Sequence, residues 1–319
     1  MQIKPPLSEA EWLVEFDKYK QFPEYQRQNS DMTLDEFKKI FFWEWAHRAY
    51  GRVIGVAFAV PFVYFLARGR IPRREALKLG GIFALGGLQG AVGWWMVKSG
   101  LHNVKEGAVA RVSHLRLATH LGSAFTIYTL LLWQAMRWRV RRSPVPVLPA
   151  AVRSLRMRAH VAAALVFTTA MSGALVAGLD AGLIYNNEFP LMGGSVFPSD
   201  GLTMSPAWRN FVYNDAAVQF DHRWLAMSTA AFISATYAAA RRGGARSVYA
   251  ALHPAGRLAL NCVMLGVVGQ VTLGITTLMM FVPVSLGAAH QAGSLTLLSF
   301  TLWLMREIKP RKIVRMIKP

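Results

Sequence analysis

Long, predominantly apolar runs recur along the chain and are separated by short polar stretches. An apolar run of about 20 residues is long enough to cross a bilayer as an α-helix. Lipid offers the backbone no hydrogen-bond partners, so helices are the expected form of these runs. The pattern therefore predicts an all-α integral membrane protein with seven transmembrane helices. The seven runs cover residues 41–67, 76–97, 113–135, 157–179, 216–239, 257–281 and 286–305.

The composition agrees with this pattern, since 53% of the residues are hydrophobic and only 17% are charged. The net charge of +19 would suggest a nucleic-acid partner, but the basic residues are concentrated in the loops 68–75, 137–158 and 240–257 and in the tail. This distribution follows the positive-inside rule. It predicts that these loops face the cytoplasm or matrix, that segment 181–215 faces the opposite side, and that lipid rather than nucleic acid surrounds the chain.

The first 40 residues are polar and contain no apolar run. Seven spans with the basic tail inside place this segment on the outer side, yet nothing visible would carry it across the membrane. We therefore expect residues 1–40 to be an interhelical loop on the outer side, whose preceding transmembrane helix is missing from this chain.

Two halves of the sequence resemble each other, with offsets of 175, 181 and 170 residues between the paired landmarks. The pairs are His47-Arg48 with His222-Arg223, Gln89-x3-Gly93 with Gln270-x3-Gly274, and His120-x12-Trp133 with His290-x12-Trp303. A parallel repeat of this kind predicts two pseudo-symmetric four-helix bundles. The predicted domains are an outer segment 1–40, an N-terminal bundle 41–136 with three of four helices, a basic inner loop 137–156, a C-terminal bundle 157–306 and a basic tail 307–319.

Four histidines, His47, His120, His222 and His290, lie near the outer ends of predicted spans. Ionisable groups inside a membrane are costly and usually functional, although each could simply make a helix-to-helix hydrogen bond. The single cysteine, Cys262, and the scarcity of carboxylates argue against a zinc or di-iron site. Paired histidines inside a four-helix bundle suit a heme with two imidazole ligands.

Three further residues adjoin these histidines. Arg48 and Arg223 follow a histidine directly and could hold heme propionates, or could be ordinary interfacial arginines. Glu44 lies three residues before His47, where the second half has Gln219. A carboxylate can transfer protons and an amide cannot, so this difference predicts that the first half performs chemistry. Glu44 could equally be a plain surface acid.

Taken together, these residues resemble the heme A synthase family over most of the chain. The motifs that carry the resemblance are Glu44–Arg48 (EWAHR), 87–100 (ending WWMVKSG), Arg116–Gly122 (RLATHLG), Ser172–Tyr185 (SGALVAGLDAGLIY), Gln219–Arg223 (QFDHR) and Ala288–Gln291 (AAHQ). Two features depart from the family pattern, namely the missing first helix and a segment Tyr185–Pro190 that is one residue longer.

The resemblance implies that His222 and His290 bind a heme b cofactor, that His47 and His120 flank the substrate heme O, and that Glu44 is the catalytic acid. It implies oxidation of a heme O methyl group to the formyl group of heme A, for cytochrome c oxidase assembly. Heme O would come from a heme O synthase. The electron donor stays open, with a ferredoxin-type protein as one candidate, as does assembly into a homo-oligomer.

The chain lacks cysteine pairs in its outer loops, which favours the mitochondrial and related proteobacterial branch of this family. The implied location is the mitochondrial inner membrane, with a bacterial inner membrane as the alternative. A di-heme electron carrier of the cytochrome b kind is the main competing interpretation, but its hemes should lie at two depths. A transporter with a parallel repeat and no heme is a third.

Overall fold

The computed structural model describes residues 4–101, 110–139 and 150–309. Within these ranges the chain is helical, and its β pairing is limited to an isolated bridge between Met192 and Ser195. The predicted all-α class is confirmed. The helices are α1 (Glu9–Tyr19), α2 (Pro23–Gln28), α3 (Leu34–Ala67), α4 (Arg73–Leu101), α5 (His114–Arg139), α6 (Ala150–Leu179), α7 (Asn210–Tyr213), α8 (Asp215–Arg241), α9 (Val248–Ala251), α10 (Pro254–Met279) and α11 (Val284–Glu307).

Among the described residues, four helices are both long and apolar enough to cross a membrane, namely α3, α4, α6 and α10. The other predicted spans correspond to α5, α8 and α11, which have 26, 27 and 24 residues. At 1.5 Å per residue these three are also long enough to cross, but their polar side chains lower their mean hydropathy. Each of the three carries one of the four histidines.

Several helices begin before the apolar run that predicted them. Helix α3 begins at Leu34 rather than at residue 41, because Thr33 and Glu36 form a capping box at its amino end. Helix α6 begins at Ala150, so Arg153 and Arg156 lie on its first turns rather than in a loop. The remainder of the predicted inner loop, residues 140–149, lies outside the described residues, as does tail segment 310–319.

The chain divides into two compact units, unit 1 (Met1–Ile127) and unit 2 (Tyr128–Pro319). In unit 1 the polar segment before α3 is folded, since α1 packs against α3 and α2 against α4. Its core is a cluster of three buried phenylalanines, Phe16, Phe37 and Phe41, with further aromatic side chains around them. The rings of Phe16 and Phe37 stack with their centroids 5.0 Å apart. This aromatic cluster fixes the amino-terminal end of α3.

In unit 2 four long helices pack in a closed ring. Helix α6 contacts α8 and α11, and α10 contacts the same two helices from the other side. The buried residues on these helices are mainly small and aliphatic, including Ala159, Val166, Ala259 and Leu298. Small residues let helix backbones approach closely, which is how helices pack in lipid. The ring encloses the second pair of histidines.

The segment between α6 and α8, residues 180–214, is irregular but ordered by buried amides; we call it the outer segment after its predicted side of the membrane. The Asn214 side chain caps α8 by accepting from the Ala217 N–H, and it donates to the Asp200 carbonyl at 2.7 Å. Asn210 donates to the Met204 carbonyl at 3.1 Å and accepts from the Met204 N–H at 2.9 Å. These bonds hold the segment against the amino-terminal end of α8.

Candidate functional site

The rings of His47 and His120 meet in unit 1. His47 on α3 and His120 on α5 lie edge to face, with ring centroids 6.4 Å apart and planes inclined by 69°. The close approach of α4 to His120 depends on Gly93, because a Cβ there would lie 2.9 Å from the ring atom Cε1. The structure therefore brings together the two histidines that the sequence pairs in the first half.

A glutamine supports the helix backbone at His120. Gln89 on α4 donates from Nε2 to the backbone carbonyl of His120 at 2.9 Å. Its other amide atom, Oε1, accepts a hydrogen bond from the Ser123 hydroxyl. The ring atom Nδ1 of His120 is buried and has no hydrogen-bond partner among the described residues. Gln89 thus holds the helix at His120 without holding its ring.

Glu44 lies one turn before His47 on α3 and forms an ion pair with Arg48 at 2.9 Å. The Glu44 side chain is 39% exposed, so the carboxylate remains accessible. A second carboxyl, Glu24 on α2, lies near enough to sense the charge of Glu44. Loss of surrounding water raises the pKa of Glu24, the charge of Glu44 raises it further, and a hydrogen bond with Tyr19 opposes both effects.

His222 in unit 2 is held by a hydroxyl. The Oγ atom of Ser172 on α6 lies 2.8 Å from His222 Nδ1, and the same hydroxyl donates to the Thr169 carbonyl at 2.8 Å. A hydroxyl has one proton to give, so Ser172 accepts from an Nδ1–H and leaves Nε2 unprotonated. An unprotonated imidazole nitrogen is the form that ligates iron. Gly173 gives the ring its space, because a Cβ there would lie 3.0 Å from Cε1 of His222.

His290 on α11 also packs against a glycine, here on α10. A Cβ at Gly274 would lie 2.8 Å from Cε1 of His290. Gln270 donates from Nε2 to the backbone carbonyl of His290 at 2.9 Å, and this nitrogen also lies 3.1 Å from ring atom Nδ1. His222 lies close enough to His290 for a charge on one ring to act on the other. The second pair is therefore also brought together.

Gln219 and Arg223 fasten the outer segment to α8. The buried Gln219 amide donates to the carbonyls of Ala181 and Ile184 at 2.7 and 2.6 Å, and its oxygen accepts from Arg223 at 3.0 Å. The terminal nitrogens of Arg223 also donate to backbone carbonyls of the outer segment, at Tyr185, Glu188, Pro190 and Leu191. The Nε atom of Arg223 is buried without a partner among the described residues.

These features fit a heme better than a metal ion bound by protein alone. Within the described ranges, no group of three or more His, Cys, Asp or Glu side chains could hold a metal ion. A heme iron needs only one or two axial ligands from the protein, because the macrocycle supplies the other four. Three buried polar atoms lack a hydrogen-bond partner among the described residues, namely His120 Nδ1, Gln270 Oε1 and Arg223 Nε.

Several of these supporting residues were not predicted from the sequence. Gln89 and Gln270 were recognised only as repeat landmarks, and their hydrogen bonds to the histidine carbonyls were not foreseen. Ser172 gave a weak signal, as a hydroxyl beside a glycine within an apolar helix. The hydrogen bonds from Gln219 and Arg223 to the outer segment could not be predicted, because the sequence does not show where that segment packs.

Comparison with known proteins identifies relatives over nearly the whole chain. The family model described as COX15-CtaA, cytochrome oxidase assembly protein, matches residues 1–302. The chain is 46% identical to a heme A synthase of Rhodospirillum centenum, over 98% of this chain and 79% of that protein. It is 45% identical to heme A synthase COX15 of Bos taurus and 44% identical to that of Homo sapiens, in each case over 97% of this chain and 73% of the relative. No solved structure matches the chain.

Proposed function

Because the chain belongs to the cytochrome oxidase assembly family that contains the heme A synthases, we propose that it oxidises heme O to heme A. The reaction converts a methyl group of heme O to a formyl group by successive hydroxylation and loss of water. The observation that carries this proposal is the presence of one histidine pair in each unit, with a carboxylate one turn from a histidine in unit 1 only. An enzyme with both a heme substrate and a heme cofactor needs two such sites.

The proposed architecture is a parallel repeat of four-helix bundles with seven transmembrane helices in this chain. The closed ring of α6, α8, α10 and α11 supports this arrangement for unit 2. Matching hydrogen bonds support the repeat, since Gln89 and Gln270 each donate to a histidine carbonyl at 2.9 Å. Gly93 faces the ring of His120, and Gly274 faces the ring of His290.

Heme b is the proposed cofactor of unit 2, with His222 and His290 as its iron ligands. Ser172 favours this assignment because its hydroxyl leaves His222 Nε2 free to ligate. When bound there, heme b supplies one-electron redox chemistry. Arg223 keeps the outer segment attached to α8 next to this pair, and its unused Nε–H is available to a propionate.

Heme O is the proposed substrate of unit 1, flanked by His47 and His120. Loss of water from a doubly hydroxylated carbon requires removal of a proton from one hydroxyl and delivery of a proton to the other. The accessible carboxylate of Glu44, one turn from His47, is suited to both transfers. Arg48 holds that carboxylate in place. It is also the candidate propionate partner in unit 1, because arginine forms charge-assisted hydrogen bonds with carboxylates.

The chain is similar to bacterial and to eukaryotic relatives, so two membranes are candidate locations for this enzyme. We place the chain in the mitochondrial inner membrane, with a bacterial inner membrane as the alternative. The proposed partners are a heme O synthase that supplies the substrate, an electron donor of ferredoxin type, and surrounding lipid. A homo-oligomer is compatible with this assignment.

Pigment analysis tests the proposal directly. Membranes from cells that co-express the chain with a heme O synthase should yield heme A on extraction, and membranes without the chain should not. His222→Ala and His290→Ala should each remove most heme b from the purified protein, whereas His160→Ala, an exposed histidine on α6, should not. Bound heme without any heme A would favour the di-heme electron carrier, and absence of any heme would favour the transporter.

A further inference from the structure

Two arginines and a tyrosine meet in unit 2, at the opposite end of α8 from His222. Arg241 is the last residue of α8, Arg257 lies in the first turn of α10, and Tyr249 belongs to the short helix α9 between them. The guanidinium carbon of Arg241 lies 4.6 Å from the centroid of the Tyr249 ring, and that of Arg257 lies 5.9 Å from it. Two positive charges are therefore held beside a single aromatic ring.

Hydrogen bonds fix both guanidinium groups. Arg241 donates to the Tyr237 hydroxyl at 2.6 Å. Arg257 donates from Nε to the Leu252 carbonyl at 2.9 Å, and one of its terminal nitrogens donates to the Ala250 carbonyl. Because these bonds hold the arginines in place without a ligand, little rotamer freedom is left to lose when a ligand binds.

The Tyr249 ring is fixed through its hydroxyl. The amide of Asn261 on α10 donates to the Tyr249 hydroxyl at 2.9 Å and accepts from the Tyr237 hydroxyl on α8 at 3.1 Å. These polar groups connect α9 to both long helices. The ring therefore keeps its place between the ends of α8 and α10.

No carboxylate of the protein neutralises these arginines. Residues 222–306 contain neither Asp nor Glu. Glu307 on α11 lies next to Gly256, but its carboxylate accepts from the Trp303 indole at 2.9 Å. Within the described part of the chain, neither Arg241 nor Arg257 forms an ion pair. Two fixed positive charges repel each other, and an anion bound to both relieves that repulsion.

Both guanidinium groups also keep N–H donors for such an anion. An arginine has five N–H groups. Among the described residues, Arg241 uses one of them toward Tyr237, and Arg257 uses one on Nε and one on a terminal nitrogen toward backbone carbonyls. The planar array of donors on arginine matches the geometry of phosphate oxygens.

The level of these residues along the helices indicates which anion binds. Arg257 is the first residue of the apolar run 257–281, and Arg241 follows the run 216–239 by two residues. In the seven-span architecture proposed above, both guanidinium groups lie where the hydrocarbon core meets the lipid headgroups. Arginine and tyrosine are common at this level, and basic pockets between helices there bind anionic headgroups.

We propose that Arg241, Arg257 and Tyr249 form a binding site for the phosphate headgroup of an anionic phospholipid. The two guanidinium groups donate to the phosphate, and the tyrosine ring holds them side by side. The side chains of Arg242 and Arg246, in the same loop, are exposed and make no hydrogen bond, ion pair or ring contact within the described ranges. They add charge to the surface without belonging to the site.

Native mass spectrometry of the full chain in neutral detergent, with added phosphatidylglycerol, tests the site. Arg241→Gln/Arg257→Gln should lower the affinity for this lipid about 100-fold, because each lost hydrogen bond to a charged group costs about tenfold or more. Arg242→Gln/Arg246→Gln is the matched control, since it removes the same charge from the same loop, and it should bind as the unmodified protein does. Equal losses in both double variants would reduce the effect to net charge and overturn the proposal.

Tyr249→Leu tests the geometry separately from the charge. It keeps all four arginines but removes the ring beside Arg241 and Arg257, so both side chains must be ordered on binding and the affinity should fall about fivefold or more. Tyr249→Phe keeps the ring and should bind normally. An unchanged affinity in Tyr249→Leu would contradict a preformed site. If the variants of Arg257 fail to fold, as judged by their helical circular dichroism, Arg241→Gln alone decides the question.

Two further probes identify the source of the phosphate. Phosphatidylcholine, which has a phosphate but no net charge, should bind at least tenfold more weakly than phosphatidylglycerol. Excess inorganic phosphate should not displace the lipid, because exposed Leu258 and Leu265 on α10 offer apolar surface for acyl chains. Equal binding of the two lipids, or displacement by phosphate, would refute the assignment to an anionic lipid. Because the readout is lipid binding, these outcomes do not depend on which heme each unit binds.

Discussion

The carboxylate of Glu44 accepts a hydrogen bond from the guanidinium of Arg48 at 2.9 Å, across one turn of α3. Unit 2 has Gln219 and Arg223 at the corresponding places, joined at 3.0 Å. The surroundings of the two pairs differ, since Gln219 is only 2% exposed and is used up by backbone carbonyls. The Glu44 carboxylate is therefore accessible, whereas the Gln219 amide binds the backbone of the outer segment.

Glu44→Gln should leave heme b binding in unit 2 unchanged and reduce heme A formation about 100-fold or more, the usual contribution of a general acid or base. The amide preserves size and polarity but cannot transfer protons. Asp35→Asn is the control and should retain activity, because it neutralises an acid on the same helix that is more exposed than Glu44. Parallel loss of heme b and of activity in Glu44→Gln would show that the residue is structural.

Gln219→Glu should release the outer segment of unit 2. The carboxylate can still accept from Arg223, but it has no N–H for the carbonyls of Ala181 and Ile184. Each buried carbonyl left without a donor costs about 1–3 kcal/mol. Amide hydrogen exchange within residues 181–191 should accelerate, while exchange within α10 should not. Gln21→Glu makes the same change at an exposed site and should leave both unaltered.

Glu24 should make the packing of α1 and α2 in unit 1 pH-dependent. Its raised pKa, caused first by loss of water and then by the charge of Glu44, means that ionisation is harder in the folded state than in the unfolded chain. The stability that it contributes is complete below the ordinary pKa of glutamate and is lost as the pH rises through the raised value.

Limited proteolysis of the α1–α2 segment across this pH window measures the effect. The unmodified protein should be cleaved faster as the pH rises, and Glu24→Gln should show a flat profile. Glu9→Gln, an exposed acid at the start of α1, should behave like the unmodified protein. A pH dependence that persists in Glu24→Gln would assign it to another group.

Cysteine labelling of intact membranes tests the predicted topology. In a Cys262→Ala background, Ser199→Cys should react with a membrane-impermeant maleimide from the outside. Ala245→Cys, in the exposed loop after α8, should react only after permeabilisation, as should Ser143→Cys, which lies outside the described residues. Labelling of Ala245→Cys but not of Ser199→Cys in intact membranes would reverse the orientation.

The helices and the histidine pairing of unit 1 could be predicted from sequence because both depend on period and position. Apolar runs identified each long helix, and the repeated spacing paired His47 with His120, whose rings meet in the structure. Helix ends were less accurate. The first turns of α3 and α6 are polar, and their position depends on caps and packing that hydropathy does not report.

The supporting hydrogen bonds could not be predicted, because they join residues far apart in sequence. Ser172 and His222 are 50 residues apart, and Gln219 and Ala181 are 38 apart. The folding of residues 1–40 into helices was also missed. The aromatic core of this segment joins Phe16 on α1 to Phe37 and Phe41 on α3, and neither α1 nor α2 contains an apolar run of its own.

At three glycines of this protein, an inherited change to alanine should be harmful. Gly93, Gly173 and Gly274 each face a histidine Cε1 atom so closely that a single added methyl group would lie within 3.0 Å of it. By ordinary chemical similarity, replacement of glycine by alanine is a mild change. At these three positions it would push a ring out of place while every histidine stayed intact. A screen that looks only for changes at the histidines would pass over such alleles, although each would displace a histidine ring from its place in the structure.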